Sequence, residues 1–404
     1  MDDTFGVRKT VSNPEAISGD KKVCKNVLYV IEDGNFSIKD SNIHFINCTF
    51  KSANGEHKID IKAANAVFEH CNFFIQLDIG YSSCTFVGCT FKQIDSTALI
   101  AENDTTLHVE NCVFCENGTK DVLAAQITVF KSAFHAKNIT VKDGINAFGL
   151  EAANSSFYLD GALILSNEGC GISLKFCKFE IAKSTIEQNG SSENDFTQII
   201  IDNSKGTISN TKIKDGLNSN GIVATDKSDV EVVNSEICSH TKNGIAVERS
   251  SKMSLKHCQI EKNGDEYEET LQLWVDDSKL YLLDCLIQNG VCGIYAQKNS
   301  YITVHTTRIK NNLGAVCVFE SSKLDMRDCS IEMTVEKIPV WIEESYAVLK
   351  NITLENNENQ KIVYMDSMMY VDVKNMKIDK NCKDSVTVKN SKNVHTDLKC
   401  LDGS

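Results

Sequence analysis

Glu248, Asp276 and Asp277 are the residues of this chain whose types could do acid–base chemistry together. Asp276 and Asp277 follow Trp274 and precede Ser278, in a stretch that also carries the acidic run Asp265-Glu266-Tyr267-Glu268-Glu269. A carboxylate pair beside an indole suits a cation or a sugar, and glycoside hydrolysis needs two carboxylates about 5 to 10 Å apart. The plainer reading is a solvated turn next to a buried tryptophan. It is preferred here, so the three acids are weak catalytic candidates. His257 and His305 flank repeat anchors and read as turn or rim residues, and no Ser–His–Asp arrangement shares a register. Cys112 and Cys115, like Cys170 and Cys177, have no matching His at zinc spacing. No cofactor and no metal are expected.

What must position these residues is a repeat. A phrase of small-or-Cys, any residue, then Ile, Phe or Leu returns fifteen times, about every 23 residues, from Cys48-Thr49-Phe50 to Met376-Lys377-Ile378. Asn243 to Asn263 is the cleanest unit. It holds an apolar segment Gly244-Ile245-Ala246-Val247, a polar turn at Glu248 to Ser251, and an alternating segment with Met253, Leu255, Cys258 and Ile260. Lys262-Asn263-Gly264 then bends through left-handed backbone. Period-two alternation and β-branched residues indicate strands, and 22 to 24 residues leave no room for a long helix. The unit reads as one rung of a parallel β-helix with three short strands, and the whole as an all-β solenoid of about fifteen rungs. Seven anchors are Cys (48, 71, 89, 112, 258, 285 and 329), which predicts a buried thiol column.

The chain has 404 residues and a net charge of −13. Residues 1–26 read as a leader and cap, with a short helix started by Asn13-Pro14-Glu15. Residues 27–380 read as the β-helix, and 381–404 as a partial rung and cap. The acidic balance opposes nucleic acid and anionic membranes. No apolar leader or membrane-length run is present, and the 17 cysteines favour a reducing compartment, so a cytoplasmic location is expected.

The phrase GIxVxxSSxhxhxxCxIxxN (h, apolar), best carried by Gly244 to Asn263 and Val291 to Asn312, resembles the right-handed β-helix repeat of the pectin-lyase-like superfamily. The resemblance covers roughly residues 40 to 380. It implies the fold, and a choice between polysaccharide lyases, hydrolases and epimerases, phage tailspikes, and non-catalytic intracellular modules such as those of F-box-only and SHC-binding-type proteins. In the polygalacturonases the catalytic acids line the strand that here reads Gly-Ile-x-Val. Asn210-Thr211, Asp276-Asp277 and Arg308-Ile309-Lys310 look like pieces of those motifs, at the wrong intervals.

Taking Ser228, Ser251, Ser278, Ser300, Ser322, Ser345 and Met369 as register marks places Ile245, Val247, Ile294, Ala296, Val316 and Val318 inward. The outward residues that follow include only two acids, Glu248 and Asp366, which stand too far apart to cooperate. They also include an apolar stripe of Leu273, Tyr295, Cys317, Phe319, Val340, Ile342 and Tyr364. So much exposed apolar surface calls for a partner, a second copy or the C-terminal tail. The expected function is a non-catalytic scaffold binding a protein or carbohydrate along this face, centred on Tyr295 and Phe319. A polysaccharide lyase or glycoside hydrolase acting on acidic polysaccharide comes second, and an oligomeric fibre component third.

Overall fold

A computed structural model describes residues 7–11, 16–191, 196–265, 270–332, 339–355, 363–378 and 386–400. Among them the only long-range architecture is parallel β-strand pairing, in the form of a right-handed β-helix of about fifteen rungs. The chain divides into two compact units, Met1–Ser191 and Ser192–Ser404. Each is built the same way.

In unit 2 one rung consists of strands Ile245–Glu248, Lys252–Lys256 and Gln259–Glu261. They pair in parallel with Leu273–Asp276, Lys279–Leu283 and Leu286–Gln288 of the next rung. First strands thus stack on first strands, second on second and third on third. Alternation within each strand sends Ile245, Val247, Met253, Leu255 and Ile260 inward, and all five are fully buried. In unit 1 the same inward columns are aromatic. Phe50, Phe73, Phe91 and Phe114 stack face to face with ring centroids 5.1, 4.5 and 4.3 Å apart. Offset rings of this kind add to the area they bury.

The corners explain much of the composition. The residue just before each anchor turns through left-handed backbone: Asn234, His257, Asp284, Thr306 and Asp328 have φ of 49, 54, 50, 47 and 55°. Asn and Asp tolerate that region best among residues with a Cβ, which is why they crowd these positions. The bend expected at Lys262 and Gly264 is present, with φ of 55 and 89°.

A second corner is lined by buried serines. The amide of Ser251 donates to Ser278 Oγ (3.1 Å), that of Ser278 to Ser300 Oγ (3.2 Å) and that of Ser300 to Ser322 Oγ (3.1 Å). The anchor cysteines are buried thiols. Cys71 Sγ, for example, donates to the carbonyls of Phe45 and Glu69 at 3.6 and 3.4 Å.

At the chain ends, Val7–Val11 pairs with Val27–Ile31, and Ala16–Lys25 with Phe36–Ile46. Val386–Lys389 pairs with Val363–Asp366. The short helix expected at Asn13-Pro14-Glu15 lies outside the described residues.

Three residues after the anchor's apolar residue, a buried amide side chain bridges two rungs. Asn167 Oδ1 accepts from the Gly144 amide (3.2 Å) and Asn312 Oδ1 from Gly290 (2.9 Å). In one rung the place is taken by His240. Its Nδ1 accepts from the Gly216 amide (3.3 Å), so Nε2 carries the proton and meets the Ile213 carbonyl at 3.1 Å. Burial is the main cause that pushes its ring well down, to about 4. A histidine held neutral in the folded state binds fewer protons than in the unfolded chain between pH 6.5 and about 4. Its contribution to stability is therefore intact above that window and is lost as pH falls through it. His240→Asn should remove this loss. Urea unfolding at pH 7 and pH 4 should show the wild type losing roughly 3 kcal/mol more than the variant. Equal losses in both would show that His240 does not titrate this way.

Candidate functional site

The first strands of unit 2 fix the outward columns. Ala246, Trp274, Tyr295, Cys317, Trp341 and Tyr364 are successive register partners. Two residues further along the same strands stand Glu248, Asp276 and Gln297, then Phe319, then Glu343 and Asp366. Side chains two apart share a face, so an aromatic column runs beside a column of acids and amides.

This corrects part of the expected stripe. Tyr295, Cys317, Phe319 and Tyr364 do face outward, each partly exposed. Leu273, Val340 and Ile342 are inward core residues, exposed by 0, 2 and 0%. The cause is the corner length. Val247 is followed by Glu248, Arg249, Ser250 and then Ser251, whereas Val275 reaches Ser278 through Asp276 and Asp277 alone. Ile342 reaches Ser345 through Glu343 and Glu344. Counting back from the serine slips by one residue in these rungs, and a slip of one exchanges the two faces. The residues hidden by the slip are Trp274, Asp276, Trp341 and Glu343. The shorter corner was visible in the sequence as the missing residue before Ser278 and Ser345.

Trp274 and Tyr295 stack with centroids 5.1 Å apart and planes 2° from parallel. Tyr295 and Phe319 are 5.4 Å apart and tilted. Phe319 and Trp341, then Trp341 and Tyr364, meet edge to face at 6.0 and 6.1 Å. The indole of Trp341 remains 40% exposed.

The acid column ties itself to this ladder. Trp341 Nε1 donates to Glu343 Oε1 at 2.7 Å, and Tyr364 Oη to Asp366 Oδ2 at 2.9 Å. A hydrogen bond from Asn390, followed by the one from Tyr364, holds the Asp366 carboxyl below the usual carboxylate range. Tyr364 is pushed up, chiefly by its bond to Asp366.

Of the three weak catalytic candidates, two are direct register partners and all three border one recess. Glu248 and Asp276 are partners on adjacent strands, so Glu248 has a carboxylate neighbour one rung away and not only the distant Asp366. Asp276 accepts from Lys298 Nζ (2.7 Å) and Gln297 Nε2 (3.3 Å). Asp277 sits in the corner, where its carboxylate accepts from Ser250 Oγ at 3.0 Å. Asn243, Glu248, Arg249, Trp274, Asp276, Asp277 and Lys298 border a recess of about 550 Å³. Burial raises the Glu248 carboxyl; Arg249 opposes the shift and Asp276 adds to it. Among the described residues no cluster of three or more His, Cys, Asp or Glu is arranged to hold a metal.

The family described as "right handed beta helix region" matches residues 197–332 and 272–399. No curated protein matches the sequence. Among solved structures, a double mutant of the periplasmic alginate epimerase AlgG is similar at 10% identity, over 66% of this chain and 77% of that one, with a TM-score of 0.50. The alginate epimerase AlgG itself is similar at 13% identity over 76 and 77%, with a TM-score of 0.44. The pectate lyase Pel9A is similar at 11% identity over 91 and 70%, with a TM-score of 0.26. At these identities the likeness is one of fold.

The raised Glu248 carboxyl has a testable sign. A carboxyl whose folded value is raised contributes stability at low pH that is lost as pH rises from the unfolded to the folded value. Glu248→Gln should therefore gain stability relative to the wild type on going from pH 3.5 to pH 7. Asp276→Asn, which removes a repelling charge, should lower the Glu248 titration midpoint in a carboxyl-carbon NMR titration. An unmoved midpoint would show that the two carboxylates are not coupled.

Proposed function

The chain belongs to the right-handed β-helix family, and from that premise we propose that it is a non-catalytic scaffold binding an extended protein or carbohydrate along the first-strand face of unit 2. The observation that carries this reading is the outward aromatic column. Four rings at successive or near-successive rungs, Trp274, Tyr295, Trp341 and Tyr364, are joined by Phe319 from the neighbouring column. Tryptophan and tyrosine combine large contact area with few rotatable bonds, which makes them effective anchors at interfaces. The polar atoms of Trp341 and Tyr364 are engaged within their own strands, with Glu343 and Asp366. A ligand laid along the column therefore meets an ordered surface and need not organise it, which lowers the entropic cost of binding.

One observation favours a second reading, an enzyme acting on acidic polysaccharide. Glu248 and Asp276 are adjacent, the first with a raised carboxyl and the second in contact with Lys298, at the mouth of one recess. A carboxyl raised by burial beside a charge-paired carboxylate is similar to the division of labour that sugar chemistry employs. Both groups nevertheless project from neighbouring strands on the same side, whereas hydrolysis places its two carboxyls on either side of the scissile bond.

The two readings separate in one experiment. A panel of neutral and acidic oligosaccharides and of extended polypeptides is screened by calorimetry, and the reactions are followed for new reducing or unsaturated ends. On the scaffold reading a ligand binds without turnover. Trp341→Ala with Tyr364→Ala weakens it about tenfold or more, and Glu248→Gln with Asp276→Asn leaves it bound. Turnover abolished by the Glu248/Asp276 pair would establish the enzyme instead. Binding that ignores Trp341 and Tyr364 would dismiss the aromatic column.

A further inference from the structure

The second strands of unit 2 carry a face of opposite character. Lys252–Lys256, Lys279–Leu283, Tyr301–His305, Lys323–Arg327, Tyr346–Lys350 and the start of Tyr370–Ile378 pair in register over consecutive rungs. Their leading outward position holds Lys252, Lys279 and Lys323, with Tyr301, Tyr346 and Tyr370 between and beyond them. Their trailing outward position holds Lys256, Arg327, Lys350 and Lys374. Within these six strands seven cations stand against two carboxylates, Asp325 and Asp372, in a chain whose net charge is −13; the preceding second strand, Asp229–Val233, adds Asp229 and Glu231, which pair with Lys252 and Lys256.

Asp325 and Asp372 are likewise already occupied. Asp325 takes two bonds from Arg327, each 2.7 Å, and Asp372 faces Lys350 and Lys374 at 3.7 and 3.5 Å. Among the described residues Lys279 and Lys323 have no carboxylate partner, and both are exposed. Such a surface selects an anionic partner.

The tyrosines argue against a nucleic-acid strand. Lys252 Nζ lies 5.8 Å from the centre of the Tyr281 ring and Lys323 Nζ 5.2 Å from that of Tyr346. Those ring faces already hold a cation, and bases need free faces on which to stack.

A matching anionic surface stands on the chain itself. The first-strand face presents Glu248, Asp276, Glu343 and Asp366 beside Trp274, Tyr295, Trp341 and Tyr364. Both faces repeat at the same strand spacing, roughly 4.8 Å, so a pairing made at one rung can be continued at the next. We propose that the acidic aromatic face of one copy docks along the basic tyrosine face of a second copy. The proposal rests on the reading of the first-strand face as a docking surface and names its partner.

Six rungs of about 4.8 Å, each presenting roughly 16 Å of strand, cover some 450 Å² per partner. That lies in the range of weak, reversible contacts. The two faces differ, so the contact is head to tail. Each added copy leaves one face of either kind free, and association can continue past the dimer. Charge pairing across it makes the association sensitive to salt.

Sedimentation velocity of the full chain over a wide concentration range, at low and high sodium chloride, tests this. The wild type should associate reversibly at low salt and separate at high salt. Lys279→Glu with Lys323→Glu reverses the basic face. Glu343→Lys with Asp366→Lys reverses the acidic one. Each double variant alone should associate about tenfold or more weakly. An equimolar mixture of the two should associate again, because each then meets its complement. Circular dichroism and melting confirm that both remain folded.

A wild type that stays monomeric, a variant that associates like the wild type, or a mixture of folded variants that stays monomeric overturns the proposal. So does a basic-face variant that loses binding to poly-glutamate or oligo-thymidylate while self-association is unchanged, since the face then serves a different polyanion. Failure of the scaffold reading is distinct. It is read from ligand binding by Trp341→Ala with Tyr364→Ala at concentrations below self-association.

Discussion

Each rung is held to the next by hydrogen bonds between parallel strands, and that register decides which side chains become neighbours before any side-chain preference acts. Along the axis a residue meets its counterpart one rung on. A favourable choice at one position is therefore rewarded again at the next, as in the phenylalanine stacks, the serine corner and the buried amide bridges. The same repetition punishes a misfit. His240 is accepted in an asparagine position because its Nδ1 reproduces the amide oxygen as acceptor and its Nε2–H reproduces the amide donor. The ring must then stay neutral, and so a pH dependence enters a site that asparagine would leave insensitive.

Corner length governs the outer faces. A strand four or five residues long has only two or three outward positions, so one residue more or less in a corner changes what the surface displays. From Ser251 to Ser322 the serine at the end of the corner is held by the amide of its neighbour one rung back. The adjustment falls on the residues just before it. In the rung with Asp276 and Asp277 the shorter corner leaves Trp274 and Asp276 facing out. In the rung with Glu343 and Glu344 it does the same for Trp341 and Glu343.

This is also where legibility in the sequence stops. Period, strand character and inward residues such as Ile245, Val247, Ile294 and Val316 follow from alternation, because burial imposes a strong and repeated chemical preference. Tyr295, Cys317, Phe319 and Tyr364 are placed correctly on the outer face by the same alternation. Leu273, Val340 and Ile342 are not, since the serine was used as a fixed ruler although the corners before Ser278 and Ser345 are one residue shorter than the one before Ser251. The serine was a sound marker for the second strand and a poor one for the first. The stripe built on it exchanged three core residues for two tryptophans and two acids. Its polar half went unseen as a result, and the first-strand face looked greasier and less acidic than it is.

The surface that emerges uses one device repeatedly. An aromatic donor is followed two residues later by an acceptor, as in Trp341 to Glu343 and Tyr364 to Asp366. The bond fixes the ring, and at Asp366 it also helps hold the carboxyl below the usual carboxylate range. Asp366, committed in this way, is a poor general base, because accepting a proton would sacrifice the hydrogen bonds that stabilise its ionised form. It remains a good electrostatic partner, since the charge costs nothing further to organise when a cation arrives. Glu248 departs from the pattern. Its strand has Ala246 where those of Asp276, Glu343 and Asp366 have a ring, so no aromatic side chain precedes it, and burial is the main cause that raises its carboxyl. The acid column therefore contains one carboxyl raised by burial at its start, Glu248, and one lowered by hydrogen bonds at its far end, Asp366. That gradient suits docking of a cationic surface on the rungs of Glu343 and Asp366 better than proton transfer along the column.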